Sequence, residues 1–302
     1  MIRPTIRQME YIVALNEKRS FIEAADHCNV TQSTLSAGIK ELENIMEQPL
    51  FIRGRKNITL TALGEHTAES ARTILSATDS MMARAQDNKS PLCGTLRLGI
   101  IPTIAPYYLP KTLPYLQEKY PKLELELYED FSERLVEKLR QGLIDVAIIA
   151  FPYDAEDTET IHLFEEPFFL ACPKGKEPEP EPDAVNPLDL DEGELLLLED
   201  GHCLTDHALA ACKLQKRSGR KAYSASSLPT LIQMVSSGLG MTLLPEMVIQ
   251  SGNLPDNISI LPFTDPSPGR KIGLIRKLNT PKYQDTEELY KCLSTLDQTK
   301  KQ

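Results

Sequence analysis

One long helical stretch constrains this chain more than any other feature. From Thr61 to about residue 86 the sequence has few breakers, is rich in alanine, and spaces Leu63, Ile74, Leu75, Met81 and Met82 along its length. A helix that long cannot hide its apolar stripe inside a domain of roughly sixty residues, so a partner helix, and hence a dimer, is the natural solution. The stretch also divides the chain. Only short helices and two short extended runs precede it. After it comes a hydrophilic linker, Asp87-Asn88-Lys89-Ser90-Pro91, and the rhythm then changes to strand, helix, strand.

The upstream segment reads as three helices and a wing. Residues 5–18 place Met9, Ile12, Val13 and Leu15 at helical spacing. Ser20 is the expected N-cap of a short helix over 21–28, Asn29 breaks it, and Thr31 caps a third helix through Leu35, Ile39, Leu42 and Ile45. The other face of that helix carries Gln32, Ser33, Thr34, Ser36, Ala37 and Lys40, small or polar and almost free of acid. Pro49 ends it. Two extended runs, 50–53 and 58–60, then flank the basic turn Gly54-Arg55-Lys56-Asn57. A helix fits the major groove of DNA, and short polar side chains near its start reach base edges. Thr31, Gln32, Ser33, Thr34, Ser36 and Lys40 are therefore candidate DNA contacts, with Gln32 suited to bidentate adenine recognition. Arg53, Arg55 and Lys56 suit phosphates. The bland alternative is an ordinary three-helix packing element, and Ala24 and Ala25 serve close helix approach in either case.

Charge sorts the two regions by partner. The 302 residues carry a net charge of −10, which taken alone opposes binding to a phosphate backbone. The first sixty residues hold eight basic and seven acidic side chains, a balance of +1, so the remainder carries −11. No run approaches the roughly 18 apolar residues of a membrane helix. The opening MIRPTIRQMEYIV also lacks the apolar core and cleavage site of a signal peptide, so a soluble, cytoplasmic protein with no membrane partner is expected.

Downstream, strands are expected at 95–101, 124–128, 145–150, 168–172, 194–198, 241–245 and 272–275. Helices are expected around 106–119, 131–142, 205–214 and 227–237. The alternation predicts an α/β domain with a mostly parallel sheet. The run KGKEPEPEPDA (174–184) reads as a charged surface loop. Six cysteines form no CxxC pair, and the five histidines do not join them at zinc-finger spacing, so neither metal nor cofactor is expected. Most are small buried hydrophobes on this reading: Cys28, Cys93, Cys172 and Cys292. Cys203 and Cys212 differ, because Gly201, His202, Thr205 and Asp206 make the first a polar, turn-like site.

The stretches FIEAADHCNVTQSTLSAGIKELE (21–43), LFIR (50–53) and TALG (61–64) resemble the winged helix–turn–helix of the LysR-type transcriptional regulators. LRLGIIPTIAPYYLP, GLIDVAI and VSSGLGMTLLP resemble the periplasmic-binding-protein-like effector domain of that family. Ser33 stands where proline is common, and Ile52 where glutamate is common. The architecture implied is a DNA-binding domain (1–60), a dimerising linker helix (61–88) and a two-lobed effector domain (91–302). Within the family, LLLLEDGHCLTDHALAAC (195–212) is similar to the peroxide-sensing segment of the OxyR-type regulators, in which a His-Cys pair is followed nine residues later by a second cysteine.

That resemblance implies a peroxide-responsive transcription activator in the oxidative-stress response, not an enzyme. It would bind promoter DNA as a dimer or tetramer, act on RNA polymerase, and be reset by a dithiol reductant. Cys203 would be peroxidatic and Cys212 resolving, and a reversible disulfide between them would be the switch. A helical 204–212 would separate the pair by about 14 Å, so oxidation would require the segment to unwind. A helix start near Cys203, with Lys213, Lys216 and Arg217, would favour the thiolate. Thr103, His202, Asp206, Ser132 and Lys277 are the implied peroxide-pocket residues. Helix capping explains Thr103 and Ser132 equally well, and Asp206 equally suits a first-turn acid. His27, His66, His162 and His207 have no claim beyond surface or core. The rival function is a LysR-type regulator answering to a small metabolite in the effector-domain cleft. A cysteine-based peroxidase is a further rival, but needs no DNA-binding domain.

Overall fold

Each of the first three helices begins on a hydroxyl. Thr5 forms a capping box with Gln8 to start α1 (Ile6–Lys18), Ser20 accepts from the Glu23 N–H to start α2 (Phe21–His27), and Thr31 accepts from the Thr34 N–H to start α3 (Gln32–Met46). Arg19, Asn29 and Glu47, all in the left-handed region, end the same helices. α3 therefore stops before Pro49, which is not its terminator. β1 (Phe51–Arg53) and β2 (Ile58–Leu60) pair antiparallel as the expected wing. The structure, a computed structural model, describes residues 3–53, 58–85, 91–153, 155–178, 183–190, 195–211 and 224–298. Arg55 and Lys56, the linker at 87–90, and Cys212 with Lys213, Lys216 and Arg217 lie outside the described residues.

α4 (Ala62–Ala85) starts where the wing ends, with Thr61 Oγ1 accepting from the Gly64 N–H at 3.0 Å. A Cβ on Gly64 would lie 2.1 Å from the Leu50 carbonyl oxygen, so the closeness of α4 to the chain entering β1 requires glycine. Ala68 and Ala71 join Ile12, Leu15, Leu35, Ile39, Leu42 and Leu50 in one core. Further along α4, Ile74, Met81 and Met82 are exposed.

By its internal contacts the chain divides into two units, Met1–Ser90 with Arg140–Leu143, and Pro91–Leu139 with Ile144–Gln302. The second contains β3 (Gly94–Ile100), α5 (Ala105–Lys119), β4 (Leu123–Glu129), α6 (Ser132–Arg140), β5 (Val146–Phe151) and β6 (Thr158–Pro173). It continues with β7 (Leu197–Leu198), α7 (Cys203–Ala211), β8 (Ser224–Ala225), α8 (Leu228–Ser236) and β9 (Thr242–Pro245). α9 (Glu246–Gln250), β10 (Ile258–Pro262), β11 (Gly269–Lys277) and α10 (Tyr283–Gln298) complete it. The main sheet runs β10-β6-β11-β5-β3-β4, with β9 also on β6. β4, β3 and β5 are mutually parallel, but β11 is antiparallel to both β5 and β6, and β9 and β10 are antiparallel to β6. The mostly parallel expectation is thereby corrected to a mixed sheet.

The reason is the length of β6. Its first part pairs with β11 in one lobe, and its last residues, Phe168–Pro173 by register, pair with β9 and β10 in the other. One continuous strand therefore belongs to both lobes of an α/β domain. β5, entirely buried from Val146 to Ala150, has the unbroken apolar run of a strand covered on both faces. Sequence reading missed the first half of β6, where Glu159, Glu165 and Glu166 interrupt the apolar pattern, as well as β8, β10, α9 and α10. The expected strand at 194–198 reduces to Leu197–Leu198.

Candidate functional site

The C-terminal ends of β3 and β4 and the turn after β7 converge on one small pocket, the position at which open α/β sheets bind ligands. Ile101, Pro102 and Thr103 follow β3, Phe131 precedes α6 and Ser132 begins it, and Gly201, His202 and Cys203 lead into α7; together they line a small cavity of about 10 Å³. Gly201 has φ +101°, a conformation that an L side chain rarely adopts, and its α face lies against the Phe131 ring. This turn puts Cys203 at the first residue of α7, where the helix's partial positive charge favours a thiolate.

His202 is buried, donates Nε2–H to the Ser226 carbonyl oxygen at 3.2 Å, and sets its ring edge-on to Phe131 with centroids 4.7 Å apart. Burial pulls its pKa below the ordinary histidine value, outweighing the Ser226 contact and the charge of Glu199, which act the other way. Thr205 Oγ1 donates to the Leu198 carbonyl at 2.9 Å and ties α7 to β7. Ser132 is buried too. Its Oγ has no hydrogen-bond partner at full geometry, although it lies near enough to the Cys203 sulfur to favour the charged form.

Behind Thr103 stands a buried ion pair that the sequence reading did not find. Arg270 Nη1 donates to Thr103 Oγ1 at 2.8 Å and Nη2 to the Thr103 carbonyl at 3.2 Å, while Nε donates to Glu166 Oε2 at 2.7 Å. Thr103 therefore accepts from Arg270 and keeps its own O–H as a donor. Burial pushes the Cys203 thiol up from its ordinary pKa. Arg270, Ser132 and the residue's own N–H pull the other way, and Asp206 adds to the rise. The reduced thiol is thus held mainly protonated, with a guanidinium close by to receive the negative charge when it forms.

Of the residues named from sequence, Thr103, Ser132, His202 and Cys203 come together. Neither hydroxyl caps a helix: α5 has no side-chain cap bond, and the Ser132 Oγ at the first residue of α6 makes no hydrogen bond. Asp206 is exposed in the first turn of α7 and does not line the pocket, as its first-turn reading has it. Lys277 is corrected. It closes β11, seven residues beyond Arg270 and so about 23 Å along the strand, and the cation beside the site is Arg270. One signal pointed to this: Arg270 shares the inward phase of β11 with Ile272 and Leu274, and a charge in that phase needs a buried partner. Cys28, Cys172 and Cys292 are buried and Cys93 is half-buried. Burial lifts the Cys172 thiol to about 11, an inert state.

In the first unit, Gln32, Ser33, Thr34 and Lys40 are exposed along α3 and Ser36 is half-buried. Thr31 is exposed but engaged, since its hydroxyl caps α3 and lies 2.9 and 2.8 Å from the Ser33 and Thr34 hydroxyls. Arg53 ends β1. Among the described residues no helix is long and apolar enough to cross a membrane, and no group of three or more His, Cys, Asp or Glu side chains is placed to hold a metal.

Comparison with known proteins places both units. Residues 6–65 match the bacterial regulatory helix-turn-helix protein family of LysR type, and residues 89–295 match the LysR substrate binding domain. The HTH-type transcriptional regulator EstR of Acinetobacter baylyi is 40% identical over 297 residues, covering 98% of each chain. The DNA-binding transcriptional dual regulator OxyR of Escherichia coli K12 is 36% identical, covering 95% of this chain and 94% of that one. Among solved structures, a full-length cysteine-to-aspartate variant of Pseudomonas aeruginosa OxyR superposes with a TM-score of 0.84 at 33% identity, over 97% of this chain and 95% of that one. A hydrogen-peroxide-bound cysteine-to-serine variant of Corynebacterium glutamicum OxyR gives 0.67 at 32% identity, over 99% and 94%. With both characteristic domains matched in order, the chain belongs to the LysR family of bacterial transcription regulators, DNA-binding proteins rather than enzymes.

Proposed function

We propose that this regulator senses hydrogen peroxide through Cys203 and is switched by a reversible Cys203–Cys212 disulfide. The observation that carries the reading is the pocket itself. A cysteine at a helix start faces a cavity of about 10 Å³ shared with two buried hydroxyls and a neutral histidine, with a buried guanidinium behind. Metabolite sites usually enclose roughly 300–1,000 Å³, so this one suits a molecule of a few atoms. The likeness to OxyR structures, one of them holding peroxide, supports the same reading.

The chemistry follows from the residues present. Thr103 O–H and Ser132 Oγ hold the peroxide oxygens, and Arg270 stabilises the thiolate. The sulfur attacks one oxygen, the O–O bond breaks, and the departing hydroxide takes the thiol proton to leave as water, giving Cys203 sulfenic acid. The Cys212 thiol then attacks that sulfur and expels a second water to form the disulfide, and a dithiol reductant restores both thiols. α4 pairs the subunits, the dimer or tetramer binds promoter DNA through the α3 face and wing, and the oxidised form activates RNA polymerase.

The test is disulfide mapping by mass spectrometry after equimolar peroxide, with Cys203→Ser as control. A Cys203–Cys212 peptide in the wild type, and loss of the peroxide response in the variant, are expected. No such peptide, or a normal reporter response in Cys203→Ser, overturns the reading. A second reading, an organic effector, has one observation in its favour. A larger cavity of about 300 Å³ is lined by Glu165, Glu166, Pro167, Ser267, Gly269, Arg270 and Lys271. A peroxide-independent response that survives Cys203→Ser and fails on Lys271→Glu would favour it.

A further inference from the structure

The geometry points to Glu166 as a positioning residue that holds and partly neutralises Arg270 and thereby restrains the reactivity of Cys203. This rests on the reading of Cys203 as the reactive thiol. Glu166 on β6 faces Arg270 on β11 in direct register, and their side chains are 3% and 0% exposed. Both carboxylate oxygens are used: Oε2 accepts from Arg270 Nε at 2.7 Å, and Oε1 from the Met247 N–H in α9 at 2.9 Å. Arg270 spends its two terminal nitrogens on Thr103, in the wall of the pocket. A single hydrogen-bonded chain thus runs from the pocket through a strand pair to the helix that follows β9, with Glu166 at its centre.

A guanidinium alone in a water-poor interior projects a full positive charge onto its surroundings. Paired with a carboxylate it projects a dipole, whose field falls off faster with distance. A neutral amide has one acceptor oxygen and could serve Met247 or Arg270 Nε but not both, so the carboxylate satisfies two donors and at the same time supplies the compensating charge. The groups that bear on the Cys203 sulfur are Asp206 and its own N–H from its own helix, Ser132 from α6 and Arg270 from β11. Of the two charged ones, Arg270 favours the thiolate and Asp206 opposes it. Glu166 therefore acts on the thiol through Arg270, keeping it protonated and slow until peroxide occupies the pocket.

The experiment is the pH profile of Cys203 alkylation by iodoacetamide in the reduced full-length protein, without peroxide, read on the Cys203 peptide by mass spectrometry. Glu166→Gln is expected to move the midpoint down by about one pH unit, raising the thiolate fraction near pH 7 about tenfold. Because nucleophilicity falls with pKa, the net rate should rise about threefold. In the Arg270→Met background the same substitution should move nothing, and Cys28 and Cys292 should keep their wild-type profiles throughout. A wild-type midpoint in Glu166→Gln, or a shift that persists without Arg270, overturns the proposal. If Glu166→Gln does not fold, Glu166→Asp decides. It keeps the charge but withdraws it by one methylene, so a smaller shift in the same direction is expected and an unchanged midpoint is fatal. A shifted alkylation profile in a protein indifferent to peroxide would retain this inference and sink the sensing function instead.

Discussion

Disulfide formation between Cys203 and Cys212 should require α7 to unwind, at a cost readable as a reduction potential. α7 spans Cys203–Ala211, so its terminal Cα atoms lie about 12 Å apart at 1.5 Å per residue. Residue 212 is one peptide unit, about 3.8 Å, beyond Ala211. While the helix is intact, the two cysteine Cα atoms thus stay at least about 8 Å apart, outside the roughly 7 Å that a disulfide tolerates. Unwinding exposes Leu204, Ala208 and Leu209, now 2%, 3% and 7% exposed. At about 1.5–3 kcal/mol per leucine and about 0.8 kcal/mol for the alanine methyl, the cost is at most roughly 4–7 kcal/mol. For a two-electron couple 1.4 kcal/mol is 30 mV, so the potential should lie about 80–150 mV above the roughly −300 mV of a resistant structural disulfide. The expectation is therefore about −220 to −150 mV. Equilibration in glutathione or dithiothreitol buffers, with the 203–212 peptide quantified by mass spectrometry and α7 followed by hydrogen exchange, gives both quantities. A potential at or below −300 mV, with the α7 amides still protected in the oxidised protein, refutes the reasoning.

Three further outcomes are expected. Burial holds the folded pKa of His202 and His207 below the ordinary 6.5, so the unfolded chain takes up protons first as pH falls through that value; stability present above it should be lost progressively as pH falls below 6.5. Melting temperature against pH reads this directly, and His207→Gln should flatten the slope, whereas an identical slope in that variant removes His207 from the account. On DNA, Lys56→Ala should weaken binding to all sequences and reduce the salt slope by about one, while Gln32→Ala should cost roughly 1–3 kcal/mol at particular base pairs only; uniform losses from both would undo the division between phosphate and base contacts. A fragment of residues 1–88 should dimerise, given exposed Ile74, Met81 and Met82 on α4, and a monomer in sedimentation at tens of micromolar would place the contact elsewhere.

The amino-acid sequence by itself determined what depends on neighbours along the chain. Hydroxyl caps at Thr5, Ser20 and Thr31 start three helices, and apolar spacing sets which face of each is buried. The His202-Cys203 pair marks the turn into α7, because caps, turns and periodicity act within a few residues and leave a local imprint. Only the tertiary structure decided what depends on pairing across the chain. Arg270 meets Glu166 over 104 residues and Thr103 over 167, and neither partner carries a local signature of the other. The antiparallel passage of β6 and β11 is of the same kind, since a strand's direction is fixed by its partner and not by its own composition. Lys277 and Arg270 are both cations on one strand, seven positions apart. Strand register, which no single segment encodes, set the second behind the pocket and the first at the strand's far end.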